Sequence, residues 1–578
     1  MDCSDSSTSY GLGADFEEFG LESEAESCPS SKLNTRLSKL SSKKLLFVEK
    51  IREGNSCCQS GDYPKAIKLY SEAINLDPNN HVLYGNRSAA YCRAGKYSRA
   101  LQDAIKAREL SPRWSKAYYR QGIALQHLGR YIDALAAFAA GLAQDVKSPQ
   151  LLARFIETTM KSPLRATIEP IYRQLQAIQL DKSPFVITSL IGQEILSEGH
   201  YPAALVILES SLRIGTRSFK LRESVYSALA AAYWALGDVE KALHFMQQDL
   251  EVAKSLGDQV GECRAHSNLG SAYFCKGNYK GACTAHRMQL MLALKGKHSD
   301  QAIGALTALG HVYWAIDDLT NALSAHSQAL QMARTLGDTL AEAREIGNVG
   351  SVYLAMSEYD KSIECHNEHL KLSKSCGNKL EEAKAVSNLG AAYHAKKEYE
   401  TAIKFNEQLL RLAQEIGNRN MEARAYAGFG HAARCLGDLI AAKRWHQRQL
   451  EMVLITKNRL GEGRTLANLG VVYYLLGDFD SASKLHRESL SIARQLNDVT
   501  GMRKAFGNIS KCYSAINDFD EAIKYQQQEM AISGKQPTPS APLYDDPDLP
   551  SESLDLDDDD QDTSNLENLD SSFIPIAN

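Results

Sequence analysis

Residues 464–493 read RTLANLGVVYYLLGDFDSASKLHRESLSIA, and the same pattern returns every 40 residues. Its small residue, Gly470, belongs to a column of Ala230, Gly270, Gly310, Gly350, Gly390, Gly430, Gly470 and Ser510. Three residues on stands a mostly tyrosine column: Tyr233, Tyr273, Tyr313, Tyr353, Tyr393, Ala433, Tyr473 and Tyr513. Twelve on from the small residue come Ala242, Ala282, Ala322, Ser362, Ala402, Ala442, Ala482 and Ala522. A fixed period of this size marks a chain whose units bury their apolar faces only by stacking on one another. Such a solenoid makes a long groove, and a groove points to binding.

Upstream the period changes. With Phe47, His81 and Ser115 as first positions, position eight reads Gly54, Ser88, Gly122 and position twenty reads Ala66, Ala100, Ala134. Position twenty-four reads Tyr70, Ala104, Phe138, while Pro78 and Pro112 close the first two units. A spacing of 34 with small residues at eight and twenty is the tetratricopeptide signature. Two helices, A and B, cross there so closely that only Gly, Ala or Ser fits. The expected fold is therefore all-α, a right-handed superhelix of helix–turn–helix units. The reading divides the chain into an acidic, Ser-rich and disordered 1–44, three 34-residue repeats at 45–148, and a helical stretch at 149–182 that either bridges to the next array or caps the first three units. A degenerate unit and eight 40-residue repeats then fill 183–533, before a disordered acidic tail at 534–578. The six extra residues of the long units are expected to extend helix B and the turn. Gly257, Gly337, Gly377 and Gly417 share a helix-ending column with Lys297, Lys457 and Asn497, where a left-handed backbone is expected. No polar cap is in view after the last helix, so either the tail covers it or the chain is a shortened form of a longer array.

Composition narrows the class of function. No apolar run approaches the ~20 residues that span a bilayer, and the N-terminus lacks the basic start and apolar core of a secretory signal. The twelve cysteines are scattered and form no CxxC, which fits buried thiols in a reducing, cytoplasmic setting. Residues 1–31 hold eight carboxylates and 536–578 hold twelve, with no Lys or Arg in either. Setting those twenty aside leaves 50 carboxylates against 65 Lys and Arg, so the body between is basic. That charge is dispersed and no nucleic-acid motif accompanies it. Protein partners with acidic extended or helical segments are the expected ligands, with no nucleic acid and no membrane insertion. The acidic tail is a further candidate to occupy the basic groove.

Counting the small residue as position eight, positions two, six and nine share the helix A face that lines the groove. Position two reads Arg264, Arg344, Lys384, Arg424, Arg464 and Lys504, interrupted by Gly304. Position six reads Asn268, Asn348, Asn388, Asn468 and Asn508, interrupted by Ala308 and Gly428. Arginine offers several donors to carboxylates, and asparagine can bond an extended backbone through both ends of its amide. The alternative leaves the cations solvated or paired with Glu262, Glu342, Glu382, Glu422 and Glu462, two residues upstream. Position twenty-four reads His286, His326, His366, His446 and His486, replaced by Met246, Asn406 and Gln526 in the other units. Successive B helices lie ~10 Å apart, too far to share a metal, so these rings are expected in the A–B core, as are the tyrosines. No phosphate loop, nucleophile elbow or HExxH is present; no cofactor, metal site or catalysis is expected.

The quoted run resembles the long repeats of the Pins/LGN polarity adaptors. It is similar also to the family of tetratricopeptide repeat protein 28, very long arrays ending in a caspase-like domain. The second resemblance takes in FVEKIREGNSCCQSGDYPKAIKLYSEAINLDP, LYGNRSAAY, WSKAYYRQGIALQHLGR and LDKSPFV, and so covers about 45–533. It implies a non-enzymatic scaffold with a cytoskeletal or cell-division role at the spindle midzone or midbody. No GoLoco-like segment and no caspase-like domain follows the repeats here. The first three units resemble the chaperone-binding domain of Hop-type cochaperones, which grips the C-terminal carboxylate of Hsp70 or Hsp90. That resemblance assigns the clamp to Asn55, Asn86, Lys116 and Arg120, with Ile51 in place of the family's first lysine.

Overall fold

The computed structural model describes residues 42–533, and these form 26 helices and no strand. The readings made on 1–41 and 534–578, both acidic ends among them, lie outside the described residues. Two compact parts divide the described chain, 42–272 and 273–533.

The two repeat lengths build different hairpins from one plan. In a short unit, His81–Arg93 and Tyr97–Leu110 have 13 and 14 residues. In a long unit, Ser299–Ala315 and Leu319–Leu336 have 17 and 18. The B-to-A connection shrinks, from 77–80 after Leu76 to Gly337 and Asp338 after Leu336. Each helix thus gains about one turn while the loop loses two residues. This corrects the expectation that helix B and the turn absorb the insertion: helix A lengthens too, and the turn tightens.

That short connection needs a left-handed residue. Gly257, Gly337, Gly377 and Gly417 have φ of 65–76°, and Lys297, Lys457 and Asn497 adopt 56–57° in their place. The side-chain-bearing residues hold a conformation that glycine adopts without steric cost.

The columns have direct packing causes. Position twenty is fully buried, Ala242, Ala282, Ala322, Ser362, Ala402, Ala442 and Ala482 all at 0% exposure. Position eight is small because the position twenty-four side chain of its own unit packs against it. A Cβ at Gly310 would stand 2.3 Å from His326 Nε2, and one at Gly430 or Gly470 would stand 2.5 Å from His446 or His486. In the short units Gly54 meets Tyr70 and Gly122 meets Phe138 in the same way. Where serine replaces glycine, its hydroxyl donates to the position-twenty carbonyl, Ser88 to Ala100 at 2.7 Å and Ser510 to Ala522 at 2.8 Å. The tyrosine column is less internal than expected. Most of its members are half-buried, stacked on B-helix rings (Tyr393 on Phe405, centroids 5.3 Å apart) or lying under a cation such as Lys443, 4.3 Å from the Tyr473 ring centre.

The stretch after the third short unit breaks the alternation. Arg165–Ala177 rests chiefly on Pro149–Lys161 and buries only Ile168. Tyr201–Ile214 instead packs directly on Tyr131–Gln144, so the next hairpin stacks on the third repeat while the bridge helix stays outside.

Candidate functional site

In 273–533, A helices of neighbouring units touch one another, as Thr339–Ala355, Lys379–Ala395 and Arg419–Cys435 do in succession; their B helices approach less. The A helices therefore form the crowded inner side, and the position two and six residues lie on them. In 42–272 the short A helices His81–Arg93 and Ser115–His127 meet likewise.

Three of the inner cations are held by buried carboxylates, Arg264 and Arg344 by one from an adjoining unit and Lys384 by one on its own helix. Arg264 Nη2 is 3.2 Å from Glu223, itself 2% exposed. Arg344 Nε donates to Glu381 at 3.1 Å, and Lys384 Nζ approaches the same carboxylate at 3.6 Å. Burial opposes the charge of Glu381, but His369, Lys384 and Arg344 outweigh it and hold the carboxyl at about 2. Beside Arg264, Asp249 is 2% exposed, and burial pushes its carboxyl up to about 7. The glutamates two residues upstream of the cations engage other partners: Glu342 takes Arg334 at 2.8 Å, Glu422 takes Arg419 at 2.8 Å and Glu462 takes Arg459 at 2.6 Å. Arg424, Arg464 and Lys504 are half-buried on the same face.

Position six varies in depth. Asn268 is 6% exposed, while Asn348, Asn388, Asn468 and Asn508 are half-buried. Asn348 Nδ2 donates to Glu345 at 3.3 Å. The same carboxylate accepts from Thr307 at 2.7 Å and lies 2.8 Å from His326 Nδ1. Burial works against this charge; the His326 and Thr307 bonds prevail and keep its pKa below the ordinary value. The two interruptions of the ladder differ physically. At Gly304 nothing lies within 4 Å of where a Cβ would stand, so the gap is open. At Gly428 the would-be Cβ is 2.4 Å from Asn406 Oδ1, an amide that has replaced a histidine and fills the space.

The histidine column is internal. His286, His326, His366, His446 and His486 are at most 2% exposed. Burial lowers the pKa of His286, of His366 to about 3, and of His446 and His486 to about 4. His446 Nδ1 lies 2.9 Å from Gln449. Burial thus favours the neutral form of His286, His366, His446 and His486, while His326 is engaged by the Glu345 carboxylate.

The second constellation belongs to the three short units. Asn55 on Ser42–Gln59, Asn86 on His81–Arg93 and Arg120 on Ser115–His127 are 6%, 6% and 9% exposed, with Lys116 half-buried one turn before Arg120. Asn55 Oδ1 accepts from Tyr70 Oη at 2.8 Å. Asn86 Nδ2 is buried with no hydrogen-bond partner, although such donors are satisfied in most folded proteins. Ile51 packs into the cluster of Cys58, Tyr70 and Leu83. Neighbouring Lys50 is drawn to Glu72 at 2.9 Å and does not stand in for the missing lysine.

Sequence columns missed Glu223, Asp249, Glu345 and Glu381, because these four carboxylates fall at four different repeat positions and form no column. They missed Asn406 as a filler for Gly428, and Tyr70 as a partner of Asn55. The one available signal was coincidence across two successive units, an asparagine replacing histidine in one and a glycine replacing asparagine in the next.

Paired helices of this period, closed on small residues at eight and twenty, define a tetratricopeptide array. A tetratricopeptide repeat profile matches 221–287, 300–375, 339–415, 381–454, 421–495 and 461–535, more than half of the chain, and a second matches 54–91. The chain belongs to the tetratricopeptide repeat family.

Among individual proteins, it is similar to human and mouse tetratricopeptide repeat protein 28, each 55% identical over 224 residues. That match covers 39% of this chain and 9% of those proteins, so the chain corresponds to a small part of their length. The STIP1 homolog of Dictyostelium discoideum is 44% identical over 119 residues, 20% of this chain and 21% of that protein. Mouse G-protein-signaling modulator 1 is 33% identical over 81 residues, 14% of this chain and 12% of that protein. Among the described residues, no helix is long and apolar enough to cross a membrane.

Proposed function

We propose that this protein is a non-enzymatic scaffold that holds peptide segments of other proteins on its inner helix faces. Its best-supported site is the pocket of Asn55, Asn86, Lys116 and Arg120, taking the C-terminal carboxylate of a partner. The observation that carries this reading is the buried Asn86 amide, a donor with nothing in the fold to bond and with cationic Arg120 and Lys116 on the next A helix. A carboxylate from outside would satisfy it. The resemblance to Hop-type domains makes Hsp70 and Hsp90 C-termini the first peptides to try. The test is titration of the full chain with an Hsp90 C-terminal peptide, as free acid and as C-terminal amide. The free acid is expected to bind and the amide to lose at least tenfold, since a charge-assisted bond is worth about 1.5–3 kcal/mol. Equal binding of both forms, or none at high micromolar concentration, overturns the reading.

A second reading concerns the long array, where Arg344 and Lys384 are held on the inner face by Glu381. These oriented cations favour acidic extended or helical segments. Reversing Arg344, Arg424 and Arg464 to Glu is expected to release partners captured by the array; partners indifferent to the change argue against it. Similarity to repeat protein 28 supports a cytoplasmic setting for this scaffold, at the spindle midzone or midbody. Imaging the tagged chain through division checks it, and diffuse signal at every stage removes it.

A further inference from the structure

We propose that Tyr70 is a positioning residue of the short-repeat pocket, its hydroxyl fixing the Asn55 amide with the donor end turned toward the ligand carboxylate. This rests on the carboxylate reading given above. An asparagine amide has an acceptor end and a donor end, and only the donor end suits a carboxylate. Left alone, the amide can rotate half a turn and present its oxygen, which repels that ligand. Tyr70 Oη donates to Asn55 Oδ1 at 2.8 Å, between buried groups. With the oxygen engaged, Nδ2 remains as the donating end.

The hydroxyl is itself fixed. Tyr70 is 0% exposed, and its ring lies on Gly54, where a Cβ would meet three ring atoms at 2.8–3.2 Å. Burial pushes the phenol far above its ordinary pKa, so it stays protonated and stays a donor. The Cys58 Sγ lies 3.7 Å from the same oxygen. Asn55 Oδ1, at 2.8 Å, is the nearer of the two acceptors of that hydroxyl. The Arg120 charge is felt at both Tyr70 and Cys58, so the hydroxyl and the guanidinium share one electrostatic neighbourhood. The device belongs to the first unit alone, because Ala104 and Phe138 at the equivalent positions carry no hydroxyl.

Tyr70→Phe removes one oxygen, and a phenylalanine already packs on glycine at this position in the third unit, Phe138 on Gly122. Titration of the full chain with the Hsp90 C-terminal peptide as free acid is the experiment, with helical circular dichroism to check folding. The expected result is roughly five- to tenfold weaker binding, the weight of one neutral hydrogen bond. In an Asn55→Ala background the same substitution is expected to change nothing further, because Tyr70 acts through Asn55. Tyr70→Phe binding like the parent while Asn55→Ala loses affinity overturns the proposal. So does an equal loss in both backgrounds, which would mark a packing effect. A parent chain that binds acid and amide alike fails the carboxylate reading before any variant is made, and the proposal falls with it.

Discussion

The short-repeat block and the long array share a backbone plan but satisfy their inner polar groups differently. In the block, position twenty-four carries the aromatics Tyr70 and Phe138, and the buried Asn86 Nδ2 has no hydrogen-bond partner. In the array, the equivalent rings are mostly buried histidines, and inner cations such as Arg264 and Arg344 are held by buried carboxylates. One region keeps an unmet amide donor, with Arg120 and Lys116 on the next A helix. The other holds inner cations with its own carboxylates and leaves different buried atoms unmet, among them Asp249 Oδ1 and both ring nitrogens of His366. The difference teaches that a polar inner face is not by itself a ligand site. What matters is whether the fold has already used the polar groups.

Acid should separate the regions most. A buried histidine with its pKa below the ordinary 6.5 leaves the unfolded chain to take up protons first. Its contribution is therefore present above about pH 6.5 and is lost as pH falls toward the folded value. For His446, with a folded pKa of about 4, that amounts to about 3 kcal/mol at 1.36 kcal/mol per unit. His286, His366 and His486 add in the same direction. Hydrogen exchange read by mass spectrometry between pH 7 and pH 4 should show 273–533 opening before 46–144; simultaneous opening would erase the contrast.

A packing change comes next. Gly430→Ala places a methyl 2.5 Å from the His446 ring, and overpacking of this kind costs about 1–3 kcal/mol. Urea unfolding should register it as a lower midpoint with an unchanged slope. Loss of the cost in a Gly430→Ala, His446→Ala double variant would tie it to that ring.

The smallest effect sharpens the account of the long loops. Lys457 holds φ of 57°, a conformation that costs a side-chain-bearing residue about 1 kcal/mol. Lys457→Gly is expected to raise stability by roughly 0.5–1 kcal/mol, visible as a small rise in melting temperature. A fall would mean that the lysine side chain, rather than the backbone, closes that helix.

Most of the fold could be read from columns, because Gly310 against His326 and Gly350 against His366 repeat the same contact and so repeat in sequence. Candidate inner residues were legible for the same reason, since position two must lie on one face of helix A. Their compensation was not legible. Glu381 answers Arg344 from 37 residues away, while Glu223 answers Arg264 from 41 residues in the other direction. Pairings that change direction from one unit to the next leave no column. The exchange of Asn406 for the space above Gly428 is likewise a single event. Periodicity reveals what every unit must do, and it is silent on what one unit does alone.

The central claim is that the Asn86 amide is kept unpaired for a ligand. Asn86→Ala in the full chain tests it, with affinity for the free-acid peptide and urea stability measured on the same protein. Removing a donor that bonds nothing in the fold relieves an unmet buried group and should cost no more than about 1 kcal/mol of stability, while affinity falls by tenfold or more. A clear loss of stability with unchanged affinity would contradict the account and make Asn86 a structural residue.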